Sequence, residues 1–145
     1  MDLGLQGRRA LVGGGGSGIG GGIATALAGE GARVALIGRT RERIEGEAAR
    51  LGGEPIVADL STPDGPADAV AQAVADAKPD AIFNVTFGAD LAKFVREGQT
   101  RGIFKDVPVF SVLGGEPEYL DPLKDETPAG WYVTGYPAAD IATPE

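Results

Sequence analysis

The residues with the clearest chemical potential lie between positions 14 and 20. There Gly14-x-x-x-Gly18-x-Gly20 follows the apolar run Arg9-Ala10-Leu11-Val12 and opens an apolar-periodic stretch from Ser17 to Ala28. Glycines at a strand-to-helix turn let the backbone approach a pyrophosphate, and the helix N-terminus offers unpaired N–H groups and the positive end of its dipole. Gly14, Ser17, Gly18, Ile19 and Gly20 are therefore the candidate phosphate-side contacts. A glycine pattern alone is weak evidence, but three more residues stand where a dinucleotide would need them. Arg39 follows the second apolar run, and Ile37-Gly38-Arg39 contains no acid. An acid there would accept the 2′-hydroxyl of NAD, whereas a cation suits the 2′-phosphate of NADP. Asp59 ends the third apolar run, within reach of an adenine amine, and Asn84 lies in the fourth, across the expected switch point.

Other chemistries are closed off by composition. The 145 residues include no histidine and no cysteine, which removes Ser-His-Asp and Cys-His arrangements and imidazole or thiolate metal sites. No metal site is expected. The net charge of −8 argues against nucleic acid or an anionic membrane as partner. No apolar run is long enough to span a bilayer, and Met1–Arg9 lacks the order of a signal peptide, so a cytoplasmic location is expected.

The elements that must position these residues alternate. Arg9–Val12, Arg33–Ile37, Pro55–Ala58, Ala81–Val85, Val107–Val112 and Trp131–Thr134 read as strands. Helices are expected over Ser17–Ala28, from a Thr40 cap to Leu51, from Ser61 or Thr62 with the stripe Ala67, Val70, Ala71 and Val74, and over Asp90–Glu97. Gly114–Pro128 reads as a loop with one helical turn at Glu118–Lys124. Such alternation predicts one α/β, Rossmann-like three-layer domain with a mostly parallel sheet, order 3-2-1-4-5 plus a last strand. The halves differ in kind: residues 1–75 hold 17 of the 24 glycines, and residues 76–145 hold all nine aromatics.

The first half resembles the N-terminal half of a short-chain dehydrogenase/reductase. Gly-Arg-Arg-Ala-Leu-Val, Gly14–Gly20, Val-Ala-Leu-Ile-Gly-Arg and Val-Ala-Asp-Leu-Ser carry the resemblance over residues 3–75. It implies that Gly14, Gly18, Gly20, Arg39, Asp59 and Leu60 contact a dinucleotide. Gly13 stands where that family usually has Thr, and Gly21 and Gly22 where a cation and a small helix former are usual. The family's catalytic Tyr with Lys four residues later finds no match: Tyr119 is followed at that spacing by Leu123, with Lys124 one residue too far.

Residues 78–145 resemble something else. Lys-Pro-Asp-Ala-Ile-Phe-Asn-Val-Thr-Phe-Gly-Ala-Asp-Leu, Val-Pro-Val-Phe-Ser-Val-Leu-Gly-Gly-Glu-Pro-Glu-Tyr-Leu and Gly-Trp-Tyr-Val-Thr-Gly-Tyr-Pro are similar to type I periplasmic binding proteins, the solute-binding components of ABC transporters for branched-chain amino acids. The match corresponds to part of the second lobe, truncated near the interlobe hinge. The resemblance implies a cleft-facing loop at Glu116, and Thr86 and Tyr136 join it as candidate substrate contacts.

The whole reads as a chimera joined near Ala71–Lys78. The first functional expectation is a dinucleotide-binding domain, NADP(H) preferred, without the Tyr/Lys pair. The alternatives are a residual amino-acid-like solute binder, a chimeric fold without ligand function, and a reductase or hydrolase with an improvised site, for which Ser111 and Tyr136 are the catalytic candidates. A small-molecule ligand is the expected partner, with self-association through the aromatic second half.

Overall fold

The alternating pattern produces eleven elements in a computed structural model that describes residues 3–59, 74, 76–86, 88–126 and 129–134. In chain order they are β1 (Arg9–Gly13), α1 (Gly18–Gly29), β2 (Arg33–Gly38), α2 (Arg41–Leu51), β3 (Glu54–Val57), β4 (Ala81–Asn84), α3 (Ala89–Thr100), β5 (Val109–Ser111), α4 (Pro117–Leu123), a 3-10 turn (Lys124–Glu126) and β6 (Tyr132–Val133). The six strands form one sheet in the order β3-β2-β1-β4-β5-β6, and every pairing is parallel. This is the expected Rossmann-like order, with the last strand added outside β5.

Each sheet face is apolar because its strands are covered on both sides, as parallel strands require. On one face Ala10, Val12, Val34 and Leu36 pack against Ala24 of α1 and against Ile44 and Ala48 of α2. On the other, Leu11, Ile37, Ile82 and Val109 pack with Phe94 of α3, and Phe104 and Trp131 close over them. Phe83, Phe110 and Tyr132, paired across β4, β5 and β6, form a ladder of stacked rings with centroids 4.9 and 4.7 Å apart. Its outer ring, Tyr132, is 61% exposed.

Several boundaries differ from the sequence expectation for local reasons. β5 begins at Val109, not Val107: Pro108 has no N–H for the ladder, although its carbonyl accepts from Ile82 N–H at 3.0 Å. Thr40 occupies the N-cap of α2 in extended conformation but makes no side-chain cap bond. α3 runs three residues past Glu97 to Thr100, and Gly102, just beyond its C-cap Arg101, has φ +66°. The expected loop after β5 contains both α4 and the 3-10 turn. The helix expected from Ser61 or Thr62 lies outside the described residues, apart from its end at Val74, Asp76 and Ala77, where Val74 and Ala77 pack on the core.

The turn between β1 and α1 depends on its glycines for distinct reasons. Gly14 (φ +74°) and Gly18 (φ +57°) hold left-handed backbone, which costs L-residues with side chains. Gly20 is a matter of space, because a Cβ there would stand 2.2 Å from the Gly14 carbonyl oxygen. At Gly22, two residues on, a Cβ would meet nothing within 4 Å. The two positions therefore respond oppositely to one change. Gly22→Ala gains helix propensity of about 1 kcal/mol and should raise the melting temperature by roughly 3 °C. Gly20→Ala should lower it, because backbone must move. Equal shifts in differential scanning fluorimetry would contradict the close packing of the loop on α1.

Candidate functional site

The carboxyl ends of β3, β2, β1 and β4 frame a crevice of about 220 Å3, where ligands of open α/β sheets bind. Its walls are Gly14, Gly16 and Ser17 from the glycine turn, Gly38, Arg39, Thr40, Arg43 and Ile44 from the β2–α2 segment, Ala58 after β3, and Val85, Thr86 and Asp90 beyond β4. The Gly14 and Gly15 amides are spent on the Ile37 carbonyl, at 2.9 and 3.2 Å. They fold the turn back on β2, so the backbone donors left at this turn are the first amides of α1. Those amides have no intrahelical acceptor, and the Ser17 side chain does not cap them.

The candidate residues separate into three groups. Gly14, Ser17, Arg39 and Thr86 line the crevice together. Gly18 and Gly20 shape the turn, Ile19 beside them is 64% exposed, and Asp59 is half-buried immediately after the Ala58 wall. Asn84 behaves differently from its expected role as a direct contact. It is 1% exposed, and its amide is spent internally: Oδ1 accepts from both Thr86 N–H (3.2 Å) and Thr86 Oγ1–H (2.7 Å), and Nδ2 donates to Ser111 Oγ (3.3 Å). Ser111 is 3% exposed and also accepts from Gly114 N–H at 3.1 Å. Ser111 is thus a buried junction, and Glu116 lies outside the crevice walls. Leu60 and Tyr136 fall outside the described residues.

Two charged crevice residues escaped the sequence reading. Arg43 reaches the site because α2 lies against the glycine turn: the Arg43 Cβ and the Ile44 side chain are the neighbours a Cβ on Gly16 would meet. Its place three residues after Thr40, in the first turn of α2, is a signal only once that packing is known. Asp90 arrives from the first turn of α3. The groups with shifted ionisation lie elsewhere. Arg50 hydrogen-bonds Glu47 and holds its carboxyl below the ordinary range, while the same bond raises Arg50. Among the described residues no cluster could hold a metal ion, and no helix is long and apolar enough to cross a membrane.

The Asn84 junction carries its own prediction. Asn84→Leu removes the partner of Thr86 and Ser111 and leaves buried polar groups unpaired, at about 1–3 kcal/mol. Urea denaturation should show that loss. A variant as stable as the parent would mean the junction is inessential.

Comparison with known proteins divides along the chain. The family model described as "Periplasmic binding protein" matches residues 38–145, reaching well ahead of Lys78, where the sequence motifs place that resemblance. L-xylulose reductase from Mus musculus is 48% identical over 62 residues, 42% of this chain and 25% of that protein. D-threitol dehydrogenase from Mycolicibacterium smegmatis is 44% identical over 79 residues, 49% of this chain and 30% of that protein. The L-sorbose reductase structure from Gluconobacter frateurii, complexed with NADPH and L-sorbose, aligns with TM-score 0.59 at 25% identity, over 77% of this chain and 54% of that one. The chain thus spans a quarter to a third of the two curated relatives and about half of the solved one. Its N-terminal region is short-chain dehydrogenase/reductase-like, its fold is Rossmann-like, and these relatives are oxidoreductases.

Proposed function

We propose that this chain, which belongs to the periplasmic binding protein family over residues 38–145 and is short-chain dehydrogenase-like at its N-terminus, binds a nicotinamide dinucleotide in the crevice and prefers NADP(H) to NAD(H). The observation that carries the reading is the position of Arg39, directly after β2 and lining the same crevice as Gly14 and Ser17. Arg43 and Thr40 beside it add a second guanidinium and a hydroxyl, a donor set matched to a phosphomonoester. A Cβ on Gly20 would strike the Gly14 carbonyl, so this glycine keeps the turn packed on α1. Asp59 and Leu60 complete the adenosine side of the reading, and Asn84 acts behind Thr86.

When bound, the cofactor supplies a hydride. This chain's own residues bind and orient it. The spacing of Tyr119 and Lys124 does not provide the family's proton-donating pair, so the proposal is binding without that pair's chemistry. NADPH should bind at least tenfold more tightly than NADH when followed by cofactor fluorescence. Arg39→Asp should reverse the order by placing an acceptor where the 2′-hydroxyl lies. Unchanged affinities for both cofactors would remove Arg39 from the site, and no binding of either would remove the reading.

The match over residues 38–145 supports a second reading, a small-solute binder using Thr86, Glu116 and Tyr136. Calorimetry with branched-chain amino acids tests it. Heat saturating below millimolar ligand, lost in Glu116→Gln, is expected, and a flat titration defeats it.

A further inference from the structure

Cover on the α1 side of the sheet stops short of its β6 edge. On the opposite side Phe94 of α3, Phe104 and Trp131 reach across Leu11, Ile82 and Val109. On the α1 side, α1 and α2 pack over β1 and β2, and among the described residues no helix lies over β5 and β6. The surface there is the ring ladder, with Phe83 and Phe110 half-buried and Tyr132 exposed. Two apolar cavities of about 240 and 330 Å3 share Phe83 and Phe110. Together they make a groove along the strands, walled by Ile23 and Leu27 of α1. From β4 to β6 there are two interstrand spacings, about 10 Å, close to the width of one α-helix.

The helix that walls this groove has no charged outer face. Its 12 residues include no acid and no base, yet Ile19, Gly22, Thr25 and Ala26 are exposed. A surface helix ordinarily turns charged residues outward, and one without them belongs to a buried place. A helix and a helix-wide groove thus lie side by side on one surface, which is the self-complementary arrangement that a two-fold contact between identical chains needs. The only charged side chains lining the two cavities are Arg8, Arg9 and Asp80 at the groove's foot. Both signs are present there, 3.8–3.9 Å apart, so a second copy meets no wall of like charge.

We infer that this face joins two copies of the chain. A two-fold axis parallel to the strands, set between α1 and the ladder, lays each α1 in the groove of the other copy. Each helix then lies between two sheets. Its own strands pack under Ala24, and the Phe110 and Tyr132 rings of the other copy cover Gly22 and Ala26. Ile23, Leu27, Phe110 and Tyr132 do not line the crevice, so the inference stands apart from the dinucleotide reading.

Sedimentation velocity of the full chain, from micromolar to near-millimolar concentration, should show a monomer–dimer equilibrium. Ala26→Lys puts a cation on the helix face that the second copy covers, and should weaken dimerisation by about tenfold or more. Tyr132→Asp should do the same, while Tyr132→Phe should keep the dimer. Added salt should tighten it, because salt screens the repulsion between two chains of net charge −8. A chain that stays monomeric at every concentration overturns the inference. So does a dimer that both charged variants leave intact, or one that salt dissolves. If Tyr132→Asp fails to fold, Ala26→Lys, at an exposed position, carries the test alone.

Discussion

The pairing of β1 with β4 is the constraint on which the rest of the molecule depends. β1 belongs to the dehydrogenase-like region, and β4 lies in the part whose motifs are those of a periplasmic binding protein. Their register runs Ala10↔Ala81 to Gly13↔Asn84. At its foot the Asp80 amide donates to the Arg9 carbonyl at 2.7 Å, while the Asp80 carboxylate accepts the Arg9 amide at 2.8 Å. At its head Val85 N–H donates to the Gly13 carbonyl at 3.3 Å. A slip of one residue would turn Phe83 and Asn84 each to the opposite face. It would remove the aromatic ladder from one side and the polar junction from the other, so both faces specify one register.

That register also explains why the crevice is built as it is. Ile37, Gly13, Asn84 and Ser111 lie in one row across β2, β1, β4 and β5. Gly13 is the small member, and a Cβ there would meet Asn84 Oδ1 at 3.4 Å. The row puts a buried amide directly beneath the switch point, where an unpaired polar group would be costly. Thr86 and Ser111 satisfy it, and in doing so Thr86 is fixed at the crevice wall. The three side chains thus satisfy one another beneath the crevice, and Thr86 carries that network to its wall.

Much of this was legible from sequence because the signals are local. Alternating apolar runs and helical stripes gave strands and helices in the right order, and parallel βα alternation left few topologies open. Gly14, Gly18 and Arg39 announce themselves by position after a strand. What escaped depends on contacts distant in sequence. Arg43 enters the crevice only because Ile44 packs against the glycine turn. Asn84 reads as a contact residue in a string of letters, but its burial is set by β1 and β5 on either side. The three-residue overrun of α3 follows from a helix whose last turn is covered: Phe104 lies over Gly98, where a Cβ would stand 2.0 Å from the ring.

The glycines of α1 connect the fold to its binding role. Gly18, Gly20, Gly21 and Gly22 fall within the first five residues of the helix; Gly18 is held in left-handed backbone, and the other three each cost roughly 1 kcal/mol of helix propensity relative to Ala. Only some of that cost is required, since Gly20 is crowded and Gly22 is open. No acidic residue stands in this turn to favour its dipole. The first turn is therefore the least intrinsically helical part of α1, and it directly follows Ser17 of the crevice wall. On the proposed dinucleotide reading, an anion seated there would contribute the acceptors and the charge that the sequence omits. A ligand bound there would, on the same reading, stabilise the fold through the element that the sequence itself supports least.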